Sequence, residues 1–191
     1  MRRTDSPMKF HLVRVALLAL LVLPFAARAE TVDLGTHGTF SIAVPKGWTV
    51  SSHKEEDSGV AVTLSSSGTA NAKCLINISF VLEPKPMPKE MLDEQVLGMC
   101  EQFVNESVEK KKVLRDFGLA GGAYGSYCVF TDASQVGQPI VRDVFKVIAV
   151  GAISFKDDVI AAVSIAGDDE KGADFSGLIA AVKSAAILPA K

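Results

Sequence analysis

The sequence predicts an α+β domain, an antiparallel sheet flanked by helices, and three observations carry that expectation. Apolar and polar residues alternate at a two-residue period through most of the chain, as at Phe40, Ile42 and Val44. Two stretches break this alternation with three- and four-residue spacing, one mid-chain and one near the end. The links between alternating stretches are short and rich in Gly, Ser and Asp, which favours antiparallel neighbours over parallel crossovers.

The chain opens with Arg2, Arg3, Lys9 and Arg14 before an uncharged run over residues 15–27, and Ala27-Arg28-Ala29 supplies small residues at a candidate cleavage point. That order is the layout of a secretory signal peptide. The run is interrupted by Pro24 and falls short of the ~20 apolar residues a membrane span requires. Residues 1–29 are therefore expected to be a signal peptide and residues 30–191 a single α+β domain, periplasmic or secreted, with no stable membrane span after processing. Losing five Lys/Arg and one Asp shifts the net charge from −2 to −6. The mature length of 162 residues suits one domain with a substantial core.

Within the mature chain, residues 31–34 and 39–44 read as strands around a Gly35 to Gly38 loop. Pro45-Lys46-Gly47 then reverses the chain, and Trp48 begins a return strand, so Trp48 is expected to be the core anchor of an opening hairpin. Residues 53–59 are polar enough for a loop. Strands follow at 60–65 and 74–82, separated by a Ser/Gly-rich segment. Pro84, Pro86 and Pro88 lack amide donors and mark a connector. Leu92, Val96, Met99, Cys100 and Phe103 define a helix over residues 89–107, with Lys110, Lys111 and Lys112 as its solvated end.

Strands are expected again at 113–119 and 124–131, around a glycine turn. Residues 140–155 and 159–166 form the most apolar region, the second reading as a central strand because both faces are apolar or small. Phe175, Leu178, Ile179 and Val182 mark a closing helix, with Asp174 or Ser176 as its cap.

Candidate chemistry is sparse. Ser51-Ser52-His53-Lys54 has a Ser-x-x-Lys spacing but no following Lys-Thr-Gly, and the glycines of residues 118–125 do not match a phosphate-binding loop. His37 and His53 read as surface histidines in loops. No short His/Cys/Asp spacing around them predicts a metal site, and Asp168-Asp169-Glu170 reads as a solvated loop. A binder of nucleic acid needs a clustered basic surface, and the one basic run follows Glu106 and Glu109. No nucleic acid partner, cofactor or catalytic residue is expected.

Cys74, Cys100 and Cys128 are the informative trio, because export would place them where disulfides persist. Cys74 with Cys100 is the preferred pair. A strand from Cys74 to Leu82 travels ~26 Å and a helix from Lys89 to Cys100 returns ~17 Å. Cys100 with Cys128 is the alternative, and three buried free thiols the third arrangement.

The opening strand from Phe40 to Trp48, the proline-led helix, the glycine turn before Tyr124 and Tyr127, the apolar hairpin at Asp157-Asp158 and the helix running to Ser184-Ala185-Ala186-Ile187 together resemble a PsbP-like domain, a group that includes bacterial DcrB-like exported proteins. The resemblance spans nearly all of the mature chain. It implies an α/β/α layered sandwich and a non-enzymatic binding or assembly role, on an envelope protein or a small apolar ligand. The competing expectation is an envelope hydrolase or metal-dependent enzyme whose site is assembled from dispersed residues.

Overall fold

A computed structural model describes residues 28–55, 59–81, 85, 87–156 and 158–190. The expected leader lies outside the described residues except for Arg28 and Ala29, as do residues 83, 84 and 86 of the proline connector.

The strands divide into two antiparallel sheets. The small sheet has the order β1-β2-β10, from β1 (Arg28–Asp33), β2 (Thr39–Val44) and β10 (Ala186–Leu188). The large sheet combines β3 (Trp48–Glu55), β4 (Gly59–Ser66), β5 (Lys73–Phe80), β6 (Arg115–Asp116), β7 (Tyr124–Thr131), β8 (Val147–Lys156) and β9 (Val159–Gly167), in the order β3-β4-β5-β9-β8-β7-β6. Helix α1 (Lys89–Val104) and helix α2 (Ala173–Lys183) complete the described elements.

Two cores follow from the strand period, one on each face of the large sheet. Leu64, Ile76, Ile153 and Ile165 point to the face covered by the small sheet and α2, where they meet Phe40, Ile42, Phe175 and Leu178. Phe40 and Phe155 pack edge to face, centroids 6.0 Å apart. The opposite face carries Cys128, Phe130, Val150 and Ala152 under Leu92, Val96 and Cys100 of α1. Each fully buried apolar side chain of this kind contributes roughly 1.5–3 kcal/mol. Pro88 starts α1: its φ of −57° and ψ of 147° are extended, while its carbonyl accepts the Leu92 amide at 3.2 Å.

The opening hairpin is the main correction. β2 has β1 on one edge and β10 on the other, so neither edge remains for β3. Pro45-Lys46-Gly47 instead passes the chain from the small sheet to the large one, where β3 pairs with β4. Gly47, at φ +82°, adopts the left-handed conformation that lets the turn close with Trp48 N donating to Pro45 O at 3.1 Å. Trp48 is correspondingly only half-buried, against the rim of the core.

Other boundaries also move. β3 runs on to Glu55, the expected strand at 113–119 shrinks to Arg115–Asp116, and β8 begins at Val147. α1 ends at Val104, which leaves the lysine run in a loop where Lys112 pairs with Glu101 and Lys110 has a φ of 53°. No side chain caps α2, and residues 186–188 form a strand rather than more helix. β9 is central as expected, yet Ile160, Ala162 and Ser164 on its α1-side face stay half-buried because α1 lies over β7 and β8.

Candidate functional site

One end of the large sheet carries the candidate site, a cleft centred on Trp48. The register fixes its parts: Trp48 opens β3 opposite Ser66 at the close of β4, and Lys73 opens β5 opposite Ala166 near the close of β9. The β2–β3 turn, the β4–β5 loop and the β9–α2 loop therefore converge. Between them lies a cavity of about 560 Å³, lined by Trp48, Ser66, Thr69, Asn71, Asp168, Asp169 and Asp174 among others. A second, more apolar hollow of about 530 Å³ continues past Trp48 along α2, lined by Ala43, Pro45, Gly177, Ala180 and Ala181. Lys46, Trp48 and Asp174 border both hollows.

Asn71 holds the floor in place. Its Nδ2 lies 3.1 Å from Val141 O, 3.0 Å from Val144 O and 3.0 Å from Asp168 Oδ1, while its Oδ1 accepts the Asp143 amide at 2.8 Å. One side chain thus ties the β4–β5 loop to the β7–β8 connection and to Asp168, and the same connection brings the exposed Ile140 to the cleft wall. Asp169 closes the β9–α2 loop on itself, its Oδ1 accepting the Lys171 amide at 2.9 Å. No ion pair among the described residues reaches Asp168, Asp169 or Asp174. The cleft therefore offers an aromatic face, apolar walls and unneutralised carboxylates.

The histidines lie elsewhere. His37 sits at the opposite end of the strands, where its Nδ1 is 2.8 Å from Asp158 Oδ2 and its ring stacks on Phe80 with centroids 4.0 Å apart. Both partners of the pair are 28% exposed, so His37 is a half-buried clasp rather than the free surface histidine the sequence suggests. Asp33, four residues before His37, accepts the Gly35 amide at 2.9 Å. His53 is exposed on β3. Among the described residues no group of three or more His, Cys, Asp or Glu converges on a cation position.

All three cysteines are buried free thiols. Cys74 belongs to the core under the small sheet, whereas Cys100 and Cys128 share the core under α1, so the structure does not bring the preferred pair together. The expected helix return is present, but α1 comes back over β7 and β8, on the far face from Cys74. Cys100 and Cys128 are neighbours, and the Cys100 thiol lies 3.7 Å from Val150 O. Burial pushes the Cys74 thiol up to about 12, and burial followed by the adjacent Cys128 does the same to Cys100. Neither is a thiolate near neutrality, so neither is a ready nucleophile.

A second polar cluster lies where α1 meets β7. Lys89 Nζ donates to Asp93 Oδ2 at 2.8 Å. Burial raises the Asp93 carboxyl, but Lys89 and then Ser126 outweigh it and hold the group below its ordinary value. Ser126 Oγ faces this carboxylate without closing a well-formed hydrogen bond, and Tyr124 OH is likewise buried without a protein partner. These atoms line neither hollow of the Trp48 cleft.

Two antiparallel sheets with a helix on the far face and a second helix beside the small sheet define a PsbP-like α+β domain, as the sequence resemblance implied. The solution structure of cyanobacterial PsbP (CyanoP) from Synechocystis sp. PCC 6803 is similar with a TM-score of 0.53 at 12% identity, over 85% of this chain and 94% of that one. The Ran-binding protein Mog1p of Saccharomyces cerevisiae gives a TM-score of 0.47 at 12% identity, over 86% and 97%. At such identities the likeness establishes the fold alone. No family model matches the sequence, and no curated protein does either.

Proposed function

We propose that this chain is an exported, soluble, non-enzymatic binding or assembly module of the cell envelope, and that the Trp48 cleft is its binding surface. The observation that carries the reading is the cleft itself: three loops from both sheets and α2 converge on one aromatic residue, and Asn71 holds two of those loops in register. Ligand sites favour such apolar hollows with a few fixed polar groups. His37 and His53, the side chains best suited to proton transfer near neutrality, lie outside that lining. No described helix is long and apolar enough to cross a membrane, which is compatible with a released chain.

Export follows from the basic, apolar and small-residue order of residues 1–29. In an oxidising compartment Cys100 with Cys128, free thiols that share the core under α1, is the pairing this reading expects, with Cys74 left reduced in the other core.

A photo-crosslinking side chain at the exposed cleft residue Thr69, compared with one at exposed Asn77 on the uncovered sheet face, tests the binding surface in cells. Adducts from position 69 that disappear in the Trp48→Ala chain support it. Equal labelling from both positions contradicts it.

A further inference from the structure

We propose that the Trp48 cleft receives an extended basic segment of another protein, which adds as a strand to the free edge of β3 and sets a lysine or arginine beside Asp169 and Asp174. This inference rests on the binding-module reading and names the partner chemistry of the same surface.

Three independent features point to it. First, the two hollows are adjoining lobes that share Lys46, Trp48 and Asp174 in their walls. An elongated occupant fills both lobes, whereas a compact small molecule uses one. Second, the charge is complementary to a cation. Asp168, Asp169 and Asp174 face the polar lobe against a single Lys46, and none of the three carboxylates has an ion pair among the described residues. The Trp48 ring beside them offers a face on which an ammonium or guanidinium rests favourably.

Third, the backbone offers a template. β3 is the terminal strand of the large sheet and among the described strands pairs with β4 alone, so one row of its amides and carbonyls is open beyond the Trp48 amide, which Pro45 O already holds. Thr49 and residues 51–54 are exposed along it. Peptides that recognise a sheet edge use main-chain hydrogen bonds for affinity and pockets under alternate side chains for selectivity. Here the strand edge and the pocket meet at one residue.

Trp48 is the chain's single tryptophan, so its fluorescence reports the cleft directly. The probe is a capped nonapeptide with one central lysine among alternating valine and threonine, titrated into residues 30–191. Three comparisons accompany it: the same peptide with glutamate for lysine, the same peptide N-methylated at alternate positions, and dodecylamine. The lysine peptide should shift Trp48 emission and bind about tenfold tighter than the glutamate peptide, with N-methylation weakening it about tenfold. Asp169→Asn combined with Asp174→Asn, in a variant whose melting temperature matches the parent, should reduce the lysine preference to under about threefold. Added salt should weaken binding in the parent more than in this variant.

Equal binding of the lysine and glutamate peptides overturns the cationic assignment. Unchanged affinity after N-methylation overturns strand addition, and dodecylamine binding as tightly as the peptide replaces a protein segment with a small amphiphilic amine. Silence of Trp48 toward every probe removes the proposal, yet leaves the non-enzymatic reading standing, since only catalytic turnover would remove that.

Discussion

His37 Nδ1 and Asp158 Oδ2 lie 2.8 Å apart although 121 residues separate them in the chain. The pair joins the β1–β2 loop of the small sheet to the β8–β9 turn of the large one, and the flat stack of His37 on Phe80 reinforces the join. Replacing His37 by alanine removes a hydrogen bond to a carboxylate and an aromatic contact, and should cost about 1–2 kcal/mol. His53→Ala, on an exposed strand position, should stay within about 0.5 kcal/mol of the parent. Urea unfolding of both variants checks the contrast; equal stabilities would mean the clasp contributes nothing.

The cysteines give a second contrast. Protein recovered from an oxidising compartment should show a Cys100–Cys128 peptide on non-reducing mapping and a free Cys74, each thiol proton and its electron having passed to a disulfide donor by exchange. Closing that loop should stabilise the domain by about 3.5 kcal/mol in the chain-entropy model. A Cys74–Cys100 linkage would require the two cores to be connected through the sheet and would contradict the fold. Three free thiols in such protein would remove the disulfide altogether.

Asp93 makes the acid limb testable. Its folded-state carboxyl lies below the ordinary value, so its contribution is fully present above about pH 4 and is lost as pH falls through the lowered folded-state value. Asp93→Asn should therefore be less stable than the parent near neutrality, and the gap should narrow as the parent is acidified below pH ~4. A gap independent of pH would assign the effect to packing of the side chain.

Much of this architecture was legible in the period of the sequence, and the misses have physical causes. The alternation at Val60, Val62 and Leu64, and at Cys74, Ile76 and Ile78, marks real strands because one face of each is buried. The stripe Leu92, Val96, Cys100 gives α1 for the same reason. The pattern around Pro45 to Gly47 marks a turn, but nothing local says whether the flanking strands pair, and that is decided by β10 arriving from residues 186–188. The half-burial of Trp48 follows from the same event. Asn71, Asp168 and Asp174 carry no shared spacing, so the cleft they help to line is visible only once β5 and β9 are in register. His37 and Asp158 are hidden by the same kind of distance.

That His–Asp pair is also the group most like a catalytic dyad, so it provides the sharpest test of the claim that this domain binds and does not turn over substrate. Purified residues 30–191 are assayed against ester, amide, phosphate-ester and glycoside substrates, with and without added divalent metals, beside the His37→Ala and Asp158→Asn variants. The account predicts no turnover above the buffer rate in any of the three proteins. Reproducible turnover by the parent that either substitution abolishes, with the fold retained, would contradict it.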